Sequence, residues 1–308
     1  MKLRLLFACS LLASVALAQK EVSITLDDVP NVGLYKKDNN RSLLLENITR
    51  LQLPVAIFSN EGNLYQNTSA ADNYKALAQW IGNKNITAGN HTFNHVGYSN
   101  VGAKVFEESV EKGEVITENL LKQQGKTLRY FRFPFNDMGK DSSMHRQMKT
   151  FLQNKGYIVA PFTIENSDWA YSAVYEDALL HGDQAKAKTI GSTYVSTTLA
   201  LFDYFEALCL KQLGRPIKHI YLCHDNALNT DYLPALVEGL QKKGYAFITL
   251  DKALTDDVYA RKEYYTGSAG FSWLYRWEPD AEKRKALLRS EPENAALMKA
   301  YETLQKKN

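Results

Sequence analysis

Short apolar runs punctuate this chain at intervals long enough to hold a helix. Val22 to Leu26, Val55 to Ser59, Ile86 to Gly89, Tyr130 to Phe133, Tyr157 to Ala160, Ile220 to Cys223 and Phe247 to Leu250 are each of strand length. Between them apolar positions recur at helical spacing: Leu43, Leu44, Ile48 and Leu51 in one segment and, with some drift, Val105, Val110, Val115 and Leu120 in another. Lys-Lys-Gly-Tyr at 242–245 and Asn-Lys-Gly-Tyr at 154–157 read as helix ends stopped by glycine and leading into a strand. Seven strands alternating with helices predict repeated βα units, hence an α/β fold with a largely parallel sheet or barrel. After Leu250 the pattern changes. Residues 256–308 show no clear strand, a cluster of Phe271, Trp273, Tyr275 and Trp277, and a charged helical stretch from Asp280 to Gln305. This region is expected to be a C-terminal extension packed on the barrel. Its four aromatic residues, at period two, would face one side of an extended strand and could stack on a ligand. The expectation adopted is that they bury area and anchor the extension.

Residues 1–18 have the layout of a secretory signal peptide: basic Lys2 and Arg4, an apolar run from Leu5 to Leu17, and small Ala16 and Ala18 before a predicted cleavage. The run is too short to span a bilayer, and Cys9 lies inside it rather than at its end, which argues against a lipid anchor. Export to the periplasm or medium of a bacterium is therefore expected, without a membrane span in the mature protein. Loss of the leader shifts the basic-to-acidic balance from 37:34 to 35:34, which offers nucleic acid no electrostatic attraction. Cys209 and Cys223 form no C-x-x-C pair and read as two separate buried thiols. About 290 mature residues suit one α/β barrel.

Active sites of parallel barrels are built at the C-terminal ends of the strands, so polar groups there are the ones to weigh. Asp27 and Asp28 end the first strand; alone, they could simply cap a helix. His91 and His95 follow another strand, and on one helical turn two imidazoles four apart would face the same cation. A catalytic centre of this kind needs a third ligand and an open position, and Asp28 is the simplest third ligand. The absence of a Glu after His91 excludes the common zinc-protease motif.

With these residues in view, the sequence resembles the polysaccharide deacetylases of the NodB-homology group, carbohydrate esterase family four, through ordered motifs over roughly residues 20–255. Thr-Leu-Asp27-Asp28 is similar to the family's Thr-Phe-Asp-Asp, and His91-Thr-Phe-Asn-His95 to its His-Ser/Thr-x-x-His. Phe131-Arg132-Phe133-Pro134-Phe135 resembles its Arg-x-Pro-Tyr segment, Asp168-Trp169 its Asp-Trp pair, and Leu222-Cys223-His224 its final histidine region. Departures are Leu26 for Phe, Phe135 for Tyr, Glu165 for the first Asp of the fourth motif, and altered leucine spacing before His224. The resemblance implies a distorted (β/α) barrel with fewer than eight regular units: a catalytic domain at 19–255 and the mainly helical extension at 256–308.

It also implies a divalent ion, Zn2+ or alternatively Co2+, on Asp28, His91 and His95, polarising an acetyl carbonyl and acidifying water. Asp27 would be the base, Arg132 its partner, His224 the leaving-group acid held by Asp168, the Phe135 amide an oxyanion donor, and Trp169 a wall of the substrate pocket. His145, His181 and His219 match no motif and are expected to be surface or structural. The implied substrate is an acetylated polysaccharide or oligosaccharide, with N-acetyl groups of chitin-like glycan or peptidoglycan first. O-acetyl xylan, or a silent carbohydrate-binding role, stands as the alternative. Sequons occur at Asn40, Asn47, Asn67, Asn85 and Asn90; a glycan on Asn90 would obstruct His91.

Overall fold

The computed structural model describes residues 19–66 and 69–306; the predicted signal peptide lies outside them. Eight strands form one parallel sheet: β1 (Lys20–Val29), β2 (Val55–Ser59), β3 (Ile86–Asn90), β4 (Tyr130–Phe131), β5 (Ile158–Val159), β6 (Ile164–Glu165), β7 (Lys218–His224) and β8 (Tyr245–Phe247). Their order is β5-β4-β3-β2-β1-β7-β6, and β8 pairs with Lys20 to Val22 of β1, before β2 joins at Ile24. This is the distorted (β/α) barrel. The central strand is buried on both faces, with Val22, Ile24 and Leu26 packed in the apolar core and Ser23 and Thr25 equally enclosed. Such double burial is what a parallel sheet covered by helices requires.

All seven expected strands form: Val55–Ser59 keeps its limits, the others move by up to three residues at an end, and the last overlaps its expected run only at Phe247. The eighth, Ile164–Glu165, lies in Phe162-Thr-Ile-Glu-Asn166, where polar residues on either side of Ile164 leave no apolar run to read. The drift along Val105, Val110, Val115 and Leu120 has a simple cause: they lie on two helices, Tyr98–Lys112 and Val115–Lys122, and Val105 and Val115 are about half exposed. Gly156 and Gly244 take left-handed φ values of 80° and 84° at the two expected helix ends. An L side chain there would be strained.

The sheet path ends at β5 and β6, which pair only with β4 and β7 respectively. The segment after the last strand fills in beside the link between them. Trp273 N–H donates to the Phe162 carbonyl at 3.0 Å, and Ser272 Oγ donates to that of Thr163 at 2.7 Å. The extended aromatic strand considered from sequence does not form, because Trp273–Arg276 is a helical turn. Trp273, Tyr275 and Trp277 are all buried, at 7, 0 and 4 % exposure, so they anchor rather than bind. Helices Ala281–Ser290 and Ala295–Gln305 follow, the second packing Leu297 against Ala170, Tyr171 and Val174 of helix Asp168–Leu180. Among the described residues, no helix is long and apolar enough to cross a membrane. Cys209 and Cys223 are both buried free thiols.

Because Trp277 packs edge-on to Tyr259 inside this closing layer, Trp277→Ala should lower unfolding free energy by about 3–5 kcal/mol. Urea unfolding measures it; a change within about 0.5 kcal/mol, the size of a surface substitution, would mean that the extension folds apart from the barrel.

Candidate metal centre and active-site cleft

Adjacent residues of a regular strand point to opposite faces, so Asp27 and Asp28 could not both serve one site on an ideal β1. The strand departs from regularity at that point. Its pairing with β2 runs Leu26↔Ile57 and then Val29↔Ser59, so three steps on β1 oppose two on β2, and Asp28 takes φ = +63°. This bulge, costing on the order of 1–3 kcal/mol of backbone strain, swings the second carboxylate round to join the first.

The two histidines are brought in by a loop, which corrects the expected helical turn. Residues 91–97 are irregular, and Thr92 and His95 sit at φ values of 66° and 52°. Asn60 Nδ2 ties the loop down by donating to the carbonyls of His91 and Thr92. His91 Nδ1 lies 2.7 Å from the Arg132 carbonyl, so Nδ1 carries the proton it donates and Nε2 is the nitrogen turned towards the two carboxylates. That Nε2 is 3.8 Å from Asp28 Oδ1, and His95 Nε2 is 3.4 Å from the same oxygen. Asp28 Oδ1 is buried with no hydrogen-bond partner. Three ligand atoms within 4.8 Å of one another, one of them an orphaned carboxylate oxygen, fit a divalent cation. Burial lowers the His95 pKa, although Asp28 opposes this, and that favours the unprotonated, ligating form.

Asp27 is held differently. Arg132, with no exposed surface, donates from Nη1 to Asp27 Oδ1 at 2.9 Å and to Thr25 Oγ1 at 2.6 Å. Its Nε and Nη2 donate to the carbonyls of Ala160 and Pro161, and its plane lies over the Phe58 ring at 4.2 Å. Asp27 Oδ2 faces His91 Nε2 at 3.7 Å.

His224 ends β7 directly beside Asp27, its register partner. Its Nδ1 lies 2.7 Å from Oδ1 of the fully buried Asp168. Burial by itself disfavours the imidazolium, but Asp168 outweighs it, with help from Asp28 and Asp27, and the pKa rises to about 10. Any cation bound nearby opposes that rise. Sequence reasoning missed the groups that fix Asp168. Its Oδ2 accepts from His224 N–H, Asn226 Nδ2 and Asn229 Nδ2, at 2.9, 2.8 and 2.6 Å. The asparagines of His224-Asp-Asn-Ala-Leu-Asn229 were the available signal, since Asn226 also caps the next helix.

The cleft around these groups has a volume of about 980 Å³. Phe135, 61 % exposed, lines it with its ring centroid 4.5 Å from that of His95, and Trp169, 42 % exposed, lines it beside Tyr301 of the last helix. His219 is buried and bonded to Thr163, His145 joins the Gly139 and Gly267 carbonyls, and His181 is exposed, so none enters the site. Asn90 is buried, with its amide donating to Val110 and Tyr157, so it offers no glycan attachment point in the folded chain.

Residues 14–152 match the family model for polysaccharide deacetylase. That match ends before Asp168, Trp169 and His224. Among solved structures, a pseudoenzyme of carbohydrate esterase family four from Bacillus anthracis is similar over 77 % of this chain and 66 % of its own, with 13 % identity and a TM-score of 0.50. The peptidoglycan deacetylase PdaC from Bacillus subtilis, at 16 % identity, 77 % and 93 % coverage and a TM-score of 0.48, is also similar. So is the family four carbohydrate esterase from Streptomyces lividans, at 16 %, 77 %, 97 % and 0.48. No curated protein matches the chain in sequence.

Glu165, on β6, lines the same cleft and has one carboxylate oxygen enclosed without a partner. Burial, then the nearby Asp168, pushes its pKa up to about 8 from an ordinary 4.5. Between those two values the folded chain keeps a proton that the unfolded chain gives up, so this group subtracts stability as pH rises. Glu165→Gln should therefore raise the melting temperature by an amount that grows from pH 5 to pH 9. A pH-independent difference in thermal scans would show that Glu165 is ionised in place.

Proposed function

We propose that this chain is a zinc-dependent hydrolase removing N-acetyl groups from an amino-sugar polymer, a reading supported by the match of residues 14–152 to the polysaccharide deacetylase family model. The observation that carries this reading is the separation of two carboxylates of one strand end into different environments. Asp28 presents an unpartnered oxygen to two imidazoles, while Asp27 is bound by a buried guanidinium. The nitrogen and oxygen donor set suits zinc, with cobalt as a substitute. A cation on Asp28, His91 and His95 supplies Lewis-acid polarisation of the acetyl carbonyl and acidifies water.

The chain's own residues do the rest. Asp27 takes the proton of the attacking water on Oδ2, the oxygen not tied to Arg132, as the water oxygen bonds to the acetyl carbon. Negative charge on the acetyl oxygen is met by the Phe135 amide. His224 then gives a proton from Nε2, the nitrogen not tied to Asp168, to the sugar nitrogen as its bond to the acetyl carbon breaks. The products are acetate and a free amine. Trp169 and Tyr301 wall the sugar side of the cleft. The signal-peptide-like sequence of residues 1–18 supports export to a bacterial periplasm or medium as part of this reading. We assign the catalytic unit to residues 19–255 and the extension to 256–308.

A catalytically silent scaffold would not need all of Asp27, Asp28, His91, His95, Arg132, Asp168 and His224. Acetate release separates the readings. N-acetylglucosamine oligomers should be hydrolysed faster than acetyl-xylan, chelation should abolish activity, and one equivalent of zinc should restore it. Full activity after prolonged chelation would contradict the metal assignment. No release from any acetylated glycan would contradict deacetylation itself.

For the acid, His224→Ala should slow amide substrates by about 100-fold or more, while activated aryl acetates, whose leaving group needs no proton, lose far less. Equal losses on both would make His224 a structural residue.

A further inference from the structure

The turn carrying Phe135 is held by residues from beyond the barrel. Phe135 and Asn136 are consecutive non-glycine residues at φ values of 57° and 50°, a left-handed pair that such side chains adopt only when their surroundings impose it. The imposing group is Arg276, in the helical turn Trp273–Arg276. Its guanidinium has no exposed surface and donates from Nη2 to the Asn136 carbonyl at 3.0 Å and to the Ala269 carbonyl at 2.6 Å. Nη1 donates to Glu263 at 2.6 Å and lies 3.4 Å from Met138 Sδ. The Trp273 ring covers the guanidinium at 4.5 Å. One buried cation thus ties the turn to the segment running from Glu263 to Arg276.

Gly270 presses on the same turn from outside. A Cβ there would lie 1.9 Å from the Phe135 carbonyl oxygen and 3.0 Å from Asn136 Cβ. Gly270 also lines the cleft. On its other side, Phe135 meets the His95 ring.

We infer that Arg276 and Gly270 are positioning residues for the reaction: they lock the Phe135–Asn136 turn so that the Phe135 amide is aimed at the acetyl oxygen. This rests on the proposed deacetylation. It also gives residues 263–276 a function that depends on contact with the active-site turn and not with the sugar.

Two variants test it, because Arg276→Lys removes the fork of donors from a buried position, whereas Gly270→Ala leaves the core intact and displaces only the turn. In the full chain, hydrogen exchange should quicken across residues 133–137 in both variants and stay unchanged along residues 20–29. Zinc stoichiometry and KM should hold within about twofold while kcat falls about tenfold or more. The loss should be equal for N-acetyl and aryl acetate substrates, which share the acetyl oxygen. Faster exchange in the turn with unchanged kcat would overturn the inference, and so would an unaltered turn in both variants. If the wild-type chain releases no acetate, the proposed deacetylation fails and, with it, this catalytic role; the exchange measurement then shows separately whether Arg276 and Gly270 hold the turn.

Discussion

A guanidinium that has lost all contact with water must have its charge and its donors met by the protein, or the fold that encloses it is strongly destabilised. Arg132 meets that requirement with Asp27, Thr25 and the Ala160 and Pro161 carbonyls, over the face of Phe58. These partners come from the first strand, the second strand and the link after the fifth, so one side chain joins both sides of the barrel interior. Removing it would leave Asp27 buried beside no compensating charge, a loss of about 3–5 kcal/mol for pairs of this kind. The Arg132 carbonyl meanwhile sets the tautomer of His91. A single residue therefore orients both the base and one metal ligand, and the chemistry of the site follows from how its backbone and side chain are spent.

The other half of the arrangement is strain. Asp28, Thr92, His95, Phe135, Asn136 and Ser167 all take positive φ without being glycine, and all lie in or next to the cleft. Each costs on the order of 1–3 kcal/mol, and apolar burial in the sheet and its helices has to offset that total. The bulge at Asp28 shows what the strain accomplishes. A relaxed strand would send Asp28 away from Asp27 and leave the imidazoles without a third ligand. Asp168 and His224 involve less distortion, because His224 continues β7 in register and Asp168 opens a helix whose neighbour supplies Asn226 and Asn229.

The βα alternation and seven of the eight strands could be read from apolar runs, because burial on both faces of a parallel sheet leaves a dense local signal. Ile164–Glu165 left none, since Thr163 and Glu165 interrupt the apolar positions around it, whereas the equally short β4 and β5 lie inside apolar runs. Of the seven polar side chains expected at the site, Asp27, Asp28, His91, His95 and His224 line one cleft, with Arg132 and Asp168 buried against Asp27 and His224, yet a loop replaces the helical turn expected to carry His91 and His95. Spacing of four suggested a helix, whereas the ring alignment comes from left-handed backbone at Thr92 and His95 fixed by Asn60. The link from Arg276 to Asn136 spans 140 positions, and no periodicity in either segment encodes it. The aromatic cluster announced burial correctly for Trp273, Tyr275 and Trp277 and in part for Phe271, but its period of two misrepresented a helical turn.

The division of labour between the two aspartates is the claim most open to measurement. Zinc content and turnover should be determined together for Asp27→Asn and Asp28→Asn. The account predicts that Asp27→Asn binds one zinc per chain and loses about 1,000-fold in turnover, while Asp28→Asn loses the metal. An Asp27→Asn variant that is empty of zinc, beside an Asp28→Asn variant that retains it, would contradict the account.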